Sequence, residues 1–244
     1  SNGVYMVIDN ATRRNLELTE TMRDKQKRGS LLWVLDKTKT AMGARTLRTM
    51  TQQPLVNKDM IEERLDAVEY FYNEIIIREE IRECLNPIYD LERLLAKVSY
   101  KTINPKDMIA IRESLRMIPH IKQSIMDCKV PLIEKLYNDI DPLIDIFDKI
   151  DRAIEEDPPF SVREGGIIKD GYNEGVDYLR KSKSEGKNWL ANLESEEKEK
   201  TGIKTLKVKY NKVFGYYLEV SKSFIDMVPA DYIRKQTLSN AERY

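Results

Sequence analysis

The hydrophobic period of this chain changes for good at Gly202. Before it, apolar residues recur at three- and four-residue steps, as on one face of a helix. After it they alternate with polar residues, as along a strand. A chain patterned in this way is neither one uniform bundle nor one barrel. It reads as a helical body, a long helical arm and then a small sheet.

The helical part carries its own start signals. Ser30 is placed to cap a short helix bearing Leu31, Leu32 and Leu35. Thr40 is placed to cap the next, with Ala44, Leu47 and Met50 on one face and Pro54 beyond its end. Asn57 precedes a longer helix with Asp59, Glu62 and Glu63 at the positive end of its dipole. Its apolar residues Ile61, Leu65, Val68, Tyr72 and Ile75 step 4, 3, 4, 3, so this stripe is expected to face the core. Asn104-Pro105 and Asp141-Pro142 each pair a capping side chain with a proline at the first helical position, where its missing N–H costs nothing. Met108, Ile111, Leu115 and Ile118 follow the first pair, and Leu143, Ile146, Ile150 and Ile154 the second. The apolar run Val4-Tyr5-Met6-Val7-Ile8 reads as a buried strand. His120, after Pro119, reads as a helix-start residue and not a catalyst.

Asp157-Pro158-Pro159 breaks the pattern. Phe160-Ser161-Val162-Arg163 and Ile167-Ile168-Lys169 flank Glu164-Gly165-Gly166, the signature of a β-hairpin. From Asn173 to Lys200 the sequence is helical again, with a thin stripe of Val176, Leu179, Gly186, Leu190 and Leu193 helped by Trp189. At about 1.5 Å per residue this arm reaches roughly 40 Å. So narrow a stripe lies against a partner or projects into water. Then Leu206, Val208 and Tyr210 alternate with Thr205, Lys207 and Lys209, and Tyr216, Leu218 and Val220 with Tyr217, Glu219 and Ser221. Asn211-Lys212 and Gly215 punctuate the two runs. This is an antiparallel element with an apolar face and a basic or polar face. The fold class expected is therefore mainly α, an antiparallel helical bundle with a long helix and a small antiparallel β element.

Hydrophobic residues make up 41% of the 244 and charged residues 34%, a helix-rich composition with chain enough for a substantial core. No apolar run approaches the roughly 20 residues of a membrane span, and no secretory signal is visible at the N-terminus, where Ser1 and Asn2 read as a cloning remnant. Cys84 and Cys128 have no cysteine or histidine at metal-ligand spacing, which reads as a reduced, intracellular chain. The formal net charge is zero, but residues 201–244 hold eight Lys/Arg against four Asp/Glu, a net of +4, and the first 200 hold 33 against 37, a net of −4. The asymmetry points the C-terminal end toward a polyanion.

No phosphate-binding glycine loop, no nucleophile elbow and no cysteine–histidine pair is present. Asp141, Asp145 and Asp148 share a helical face within an acidic cluster that also holds Asp139 and Asp151. A divalent metal there is conceivable, but a solvated helix face is the simpler reading. The run Glu194–Lys200 is likewise a charge-paired helix surface. The basic sheet carries the functional reading: Lys207 and Lys209 along one strand, Lys212 in the turn, then Arg234, Lys235 and Asn240, with Tyr210, Tyr216 and Tyr217 nearby. Such groups suit phosphate oxygens and sequence-independent duplex binding. On composition alone a solvated, aggregation-resistant edge is the rival explanation.

The words of the sequence then carry a resemblance. Ile8-Asp9-Asn10-Ala11-Thr12-Arg13-Arg14-Asn15-Leu16-Glu17-Leu18 resembles the opening of the core domain of the MutS family of DNA mismatch-repair proteins. Leu35–Leu47 with Pro54-Leu55, then Asp90–Lys97, are similar to the next two blocks. Gly165-Gly166-Ile167-Ile168 with Gly171-Tyr172-Asn173 resembles the entry to the family's lever, and Phe214–Lys222 and Gln236–Tyr244 resemble its clamp and the exit from it. Met50 stands where many relatives carry tryptophan, and Ser239 where some carry lysine.

The resemblance implies a helical core over 4–171, a lever helix over 172–202 and part of a clamp over 203–244. It implies a non-catalytic segment of a mismatch-recognition ATPase, gripping duplex backbone with the clamp and relaying the ATPase state through the lever. The mismatch-reading domain with its Phe-x-Glu wedge and the ATPase domain are expected outside these residues. No cofactor is therefore expected here, ATP and magnesium belonging to the ATPase domain. Implied partners are double-stranded DNA (mismatched DNA for the whole protein), a second MutS subunit and a MutL-type protein, with no membrane and a cytoplasmic, nucleoid-associated location. The competing readings are a helical interaction scaffold without DNA contact and a metal-dependent nuclease using the acidic cluster.

Overall fold

The computed structural model describes residues 3–244. They form two compact units, one ending at Lys169 and the other running from Asp170 to Tyr244.

The first unit is helical: α1 (Asn10–Asn15), α2 (Leu31–Leu35), α3 (Ala41–Gln52), α4 (Lys58–Asn73), α5 (Ile75–Leu85), α6 (Leu91–Ser99), α7 (Pro105–Ile125), α8 (Pro131–Asp139) and α9 (Ile144–Ala153). Ser30, Thr40 and Asn57 cap their helices as expected, accepting from the backbone N–H of Trp33, Gly43 and Met60. At α7 the capping is reciprocal: Asn104 accepts from the Asp107 N–H at 2.8 Å, and Asp107 accepts from the Asn104 N–H at 3.2 Å. α7 is the central element and packs against α5, α6, α8 and α9. Two cores form around it. One gathers Ala67, Ile125, Cys128 and Ile133 with Tyr70 and Phe71, and the other gathers Leu94, Ile111, Leu115 and Ile150 with Met108 and Phe147.

The structure corrects five local expectations. Residues 4–8 are not a buried strand: Tyr5 makes a single bridge to Leu55, and Val7 is 92% exposed. The α4 stripe of Leu65, Val68 and Tyr72, continued by Ile75, faces outward, and α4 buries Ala67, Tyr70 and Phe71 instead. The helix is apolar on two sides, and the neighbours choose which is covered. Pro119 begins no helix. It lies inside α7, and exposed His120 follows it there. Asp141 does not cap α9: its carboxylate accepts from the Leu143 N–H at 2.9 Å, Leu143 adopts a left-handed φ of 50°, and the helix starts at Ile144. Residues 160–169 form no hairpin. Val162–Glu164 is a 3-10 turn, and Ile168 pairs with Ile154.

The second unit opens with α10 (Glu174–Thr201), capped by Asn173 and ended by Gly202 in the left-handed region at φ +74°. Its 28 residues span about 42 Å at 1.5 Å per residue. A four-stranded antiparallel sheet follows: β1 (Lys207–Asn211), β2 (Gly215–Ser221), β3 (Gln236–Thr237) and β4 (Ala241–Arg243), in the order β1-β2-β4-β3. The β1–β2 turn is made locally. The Asn211 side chain accepts from the Val213 and Phe214 N–H groups at 3.0 and 2.7 Å, and Gly215 supplies φ +75°. Ile203, Leu206 and Val220 are fully buried and form the core of this unit, with Phe224, Val228, Tyr232 and Tyr244 packed around them.

Candidate nucleic-acid interface

The sheet register decides which cations share a face. Lys207 lies opposite Glu219, Lys209 opposite Tyr217, Glu219 opposite Arg243, and Arg243 opposite Gln236. Side chains alternate along a strand, so these residues form one face and Val208, Tyr210, Tyr216, Leu218, Val220 and Glu242 the other. The expected division holds with one change. Tyr217, on the polar face, is buried beneath Arg243, whose guanidinium sits 4.7 Å from its ring centroid, whereas Tyr210 and Tyr216 are exposed on the apolar face.

The candidate residues divide into two kinds. Lys209 donates to Glu219 at 2.7 Å, and Arg243 meets the same carboxylate at 3.3 Å. The two cations hold the Glu219 carboxyl below its usual range, Lys209 first, and Glu219 in turn raises the Lys209 ammonium. Arg234 pairs with Glu242 at 2.8 Å, and Tyr244 donates to that carboxylate at 2.9 Å. Lys207, Lys212 and Lys235 are exposed and, among the described residues, have no carboxylate within ion-pairing distance. Nor are the six gathered in one patch. Lys207 is level with Glu219, and Lys235 lies within one residue of that level but on the opposite edge of the sheet. Lys212 lies past the far end of β1, about 16 Å from Lys207, and Asn240 lies past the end of the β2–β4 ladder. Lys222 is not one of the six, yet its backbone N–H donates to the Asn240 carbonyl at 3.1 Å, which sets this exposed residue beside Asn240. Its signals in the sequence are its share of the local positive charge and its place at the end of the Phe214–Lys222 block.

The sheet is tied to the arm by polar contacts at the end of α10. Glu194 accepts from the Val208 N–H at 3.0 Å, and Tyr232 donates to Glu197. Burial and the Glu197 carboxylate push the Tyr232 hydroxyl well above the usual phenol range. Between arm and sheet runs an apolar groove of about 640 Å³, lined by Gly186, Trp189, Leu190, Leu193, Tyr216 and Leu218 among others.

The acidic cluster of the first unit builds no metal centre. Among the described residues no group of three His, Cys, Asp or Glu is placed to hold an ion. Asp141 is engaged in its backbone turn and Asp151 accepts from Arg112 at 3.3 Å. No helix among the described residues is long and apolar enough to cross a membrane.

Several carboxylates are held low by their partners. Asp36, hydrogen-bonded by Lys27 and Thr38, is lowered to about 2, and Glu156, gripped by Arg112, also to about 2. Unfolding returns both to about 4. Groups depressed in the folded state contribute stability above their unfolded pKa and lose it as pH falls toward the folded one. Thermal denaturation followed from pH 7 downward is expected to show a nearly level melting temperature to about pH 5, then a steep decline toward pH 2. A level profile through pH 3 contradicts this assignment.

Comparison with known proteins places this architecture. The family model MutS domain III matches residues 11–239. The DNA mismatch repair protein MutS of Lachnoclostridium phytofermentans is 61% identical over 240 residues, covering 98% of this chain and 26% of the relative. Those of Acetivibrio thermocellus and Caldanaerobacter subterraneus subsp. tengcongensis are 56% and 54% identical, each over 98% of this chain and 28% of the relative. The chain belongs to the MutS family of mismatch-repair proteins. What it carries of that family is domain III, and it spans about a quarter of the length of the curated relatives it matches.

Proposed function

We propose that this chain is the non-catalytic core, lever and partial clamp of a MutS-type mismatch-recognition ATPase. Residues 4–171 act as the core, 172–202 as the lever and 203–244 as the part of the clamp that holds duplex DNA by its backbone. One observation carries the reading: the sheet presents Lys207, Lys212 and Lys235 to solvent without a carboxylate in ion-pairing distance, the first two at the two ends of β1 and the third on the opposite edge, so that phosphates can be met at separate points of the sheet. Lys209 and Arg234 are held by Glu219 and Glu242, so in this reading they shape the surface more than they grip. Asn240, with Lys222 beside it, supplies a polar contact at one end. A contact that must slide along DNA should read phosphates and not base edges, because base readout would pin it.

ATP and magnesium, in the same reading, are bound by a part of the whole protein outside these residues, as are contacts to a MutL-type partner, and the working form includes a second MutS subunit. The chain itself neither binds nor hydrolyses ATP, and it binds mismatched and paired duplex alike. The test is salt-titrated duplex binding by the full-length protein. Lys207→Ala with Lys212→Ala is expected to weaken binding to every duplex sequence and to reduce the salt slope by about one unit for each phosphate that is no longer neutralised. Lys209→Ala is expected to do less. If the double variant keeps both affinity and slope, this surface does not grip DNA and the scaffold reading gains. Metal-dependent cleavage products would point to the nuclease reading instead.

A further inference from the structure

The chain leaves the first unit through a network of charges that the proposed grip on DNA does not use. Arg112, on α7, is 3% exposed, and it donates both terminal nitrogens to Glu156 at 2.8 Å. It also reaches Glu113 at 2.9 Å and Asp151 of α9 at 3.3 Å. Lys169, the last residue of the unit, donates to the Asp151 carbonyl at 2.7 Å and meets Glu156 at 3.4 Å. Two backbone bonds run beside these contacts, Glu155 N–H to the Ile167 carbonyl and Lys169 N–H to the Ala153 carbonyl, both at 2.8 Å.

The loop these contacts close has one compliant point. Pro158 is buried and Val162–Glu164 forms a turn, but beyond it Gly165 and Gly166 take φ values of +72° and +69° with no side chain to hold them, so bending is easiest there. An ion pair whose carboxylate is at the surface is a weak source of net stability compared with apolar packing, but its directional bonds fix geometry well. Here a planar guanidinium and an ammonium fix the exit segment to two helices.

We infer that Arg112, Glu156 and Lys169 are positioning residues that bind the departing segment rigidly to α7 and α9, so that a shift of those helices is passed on toward the arm and not absorbed in the 157–166 loop. The inference rests on the relay reading proposed above and deepens it. The low Glu156 carboxyl and the raised Arg112 guanidinium are consistent with a network that stays charged across the physiological range.

The test uses the full-length protein with Glu156→Gln and, separately, Lys169→Met. Three quantities are read: the melting temperature, amide exchange at Glu155 and Lys169, and the ratio of duplex dissociation rates with and without ATP. We expect the melting temperature to move by only a few degrees, exchange at the two amides to rise roughly tenfold, and the ATP effect on dissociation to fall at least fivefold while affinity without nucleotide is kept. A purely structural role would lower the melting temperature and leave the nucleotide ratio unchanged, and that result overturns the inference. If ATP does not alter dissociation even in the wild type, the relay reading fails and takes this inference with it. If the wild type responds and both variants respond equally, only this inference fails.

Discussion

Arg112→Ala is expected to lower the stability of the helical unit by about 2–4 kcal/mol, more than any single surface change in this chain. Arg112 is 3% exposed and sits between α7 and α9. Its removal takes away the fork that joins them and leaves a void where a large side chain was packed. Leaving one partner of a buried pair uncompensated costs about 3–5 kcal/mol when the survivor stays buried. Here the survivors are at the surface, Glu156 at 66% and Asp151 at 41% side-chain exposure, so water can solvate them and the expected cost is smaller. For a unit of this size that is a fall in melting temperature of roughly 5–15 °C. Arg112→Met separates the contributions: it keeps most of the packing and removes the charge. If Arg112→Ala melts within about a degree of the wild type, the network contributes no stability and the burial argument is wrong.

Much of the fold was legible because the signals that start helices are local. Ser30, Thr40, Asn57, Asn104 and Asn173 each accept a hydrogen bond from a residue three further on. Such a bond needs no knowledge of the rest of the chain. The change to a two-residue period after Gly202 was legible for the same reason, and the β1–β2 register follows from it and from the Asn211 turn.

The failures are cases where a distant neighbour decides. α4 carries apolar residues on two sides, and α5, α8 and the end of α7 cover the one with Ala67, Tyr70 and Phe71. Nothing within α4 ranks that side above Leu65, Val68 and Tyr72. Gly165-Gly166 has the composition of a hairpin turn that would pair Ile167–Lys169 with Phe160–Arg163, but Ile167–Lys169 finds its partner at Ala153–Glu155. Asp-Pro reads equally as a cap or as a turn, and Asp141 makes the turn.

For the interface, the positive charge was legible and its availability was not. The sequence places Lys209 and Arg234 on the same footing as Lys207 and Lys235. Only the strand register brings Glu219 against Lys209, and only the β3–β4 pairing brings Glu242 within reach of Arg234.

Amide exchange along α10 is expected to be strongly uneven, and this is the largest contrast predicted for the chain. Around Tyr178–Trp189 the arm offers Tyr178, Leu179 and Trp189 to solvent at 71%, 67% and 63% exposure. The last turns differ. The groove against the sheet begins beside Ser182, but every residue from 181 to 189 is exposed, whereas Leu190 and Leu193 are half-buried in it, Glu194 is bonded to Val208, and Glu197 to Tyr232. Most helix stability in proteins comes from packing, and a helical stretch without it opens readily in water. Residues 178–188 should therefore exchange roughly a hundredfold faster than the buried turns of α7 around Ile111–Leu115, with protection rising from Leu190 to Thr201. The sample must be shown to be monomeric, because a second copy lying along the exposed stripe would protect it, and such protection would vary with protein concentration. In a monomer, protection at 178–188 equal to that of α7 would mean that the arm is stable without a partner for its stripe, and the argument that so narrow a stripe requires one would be wrong.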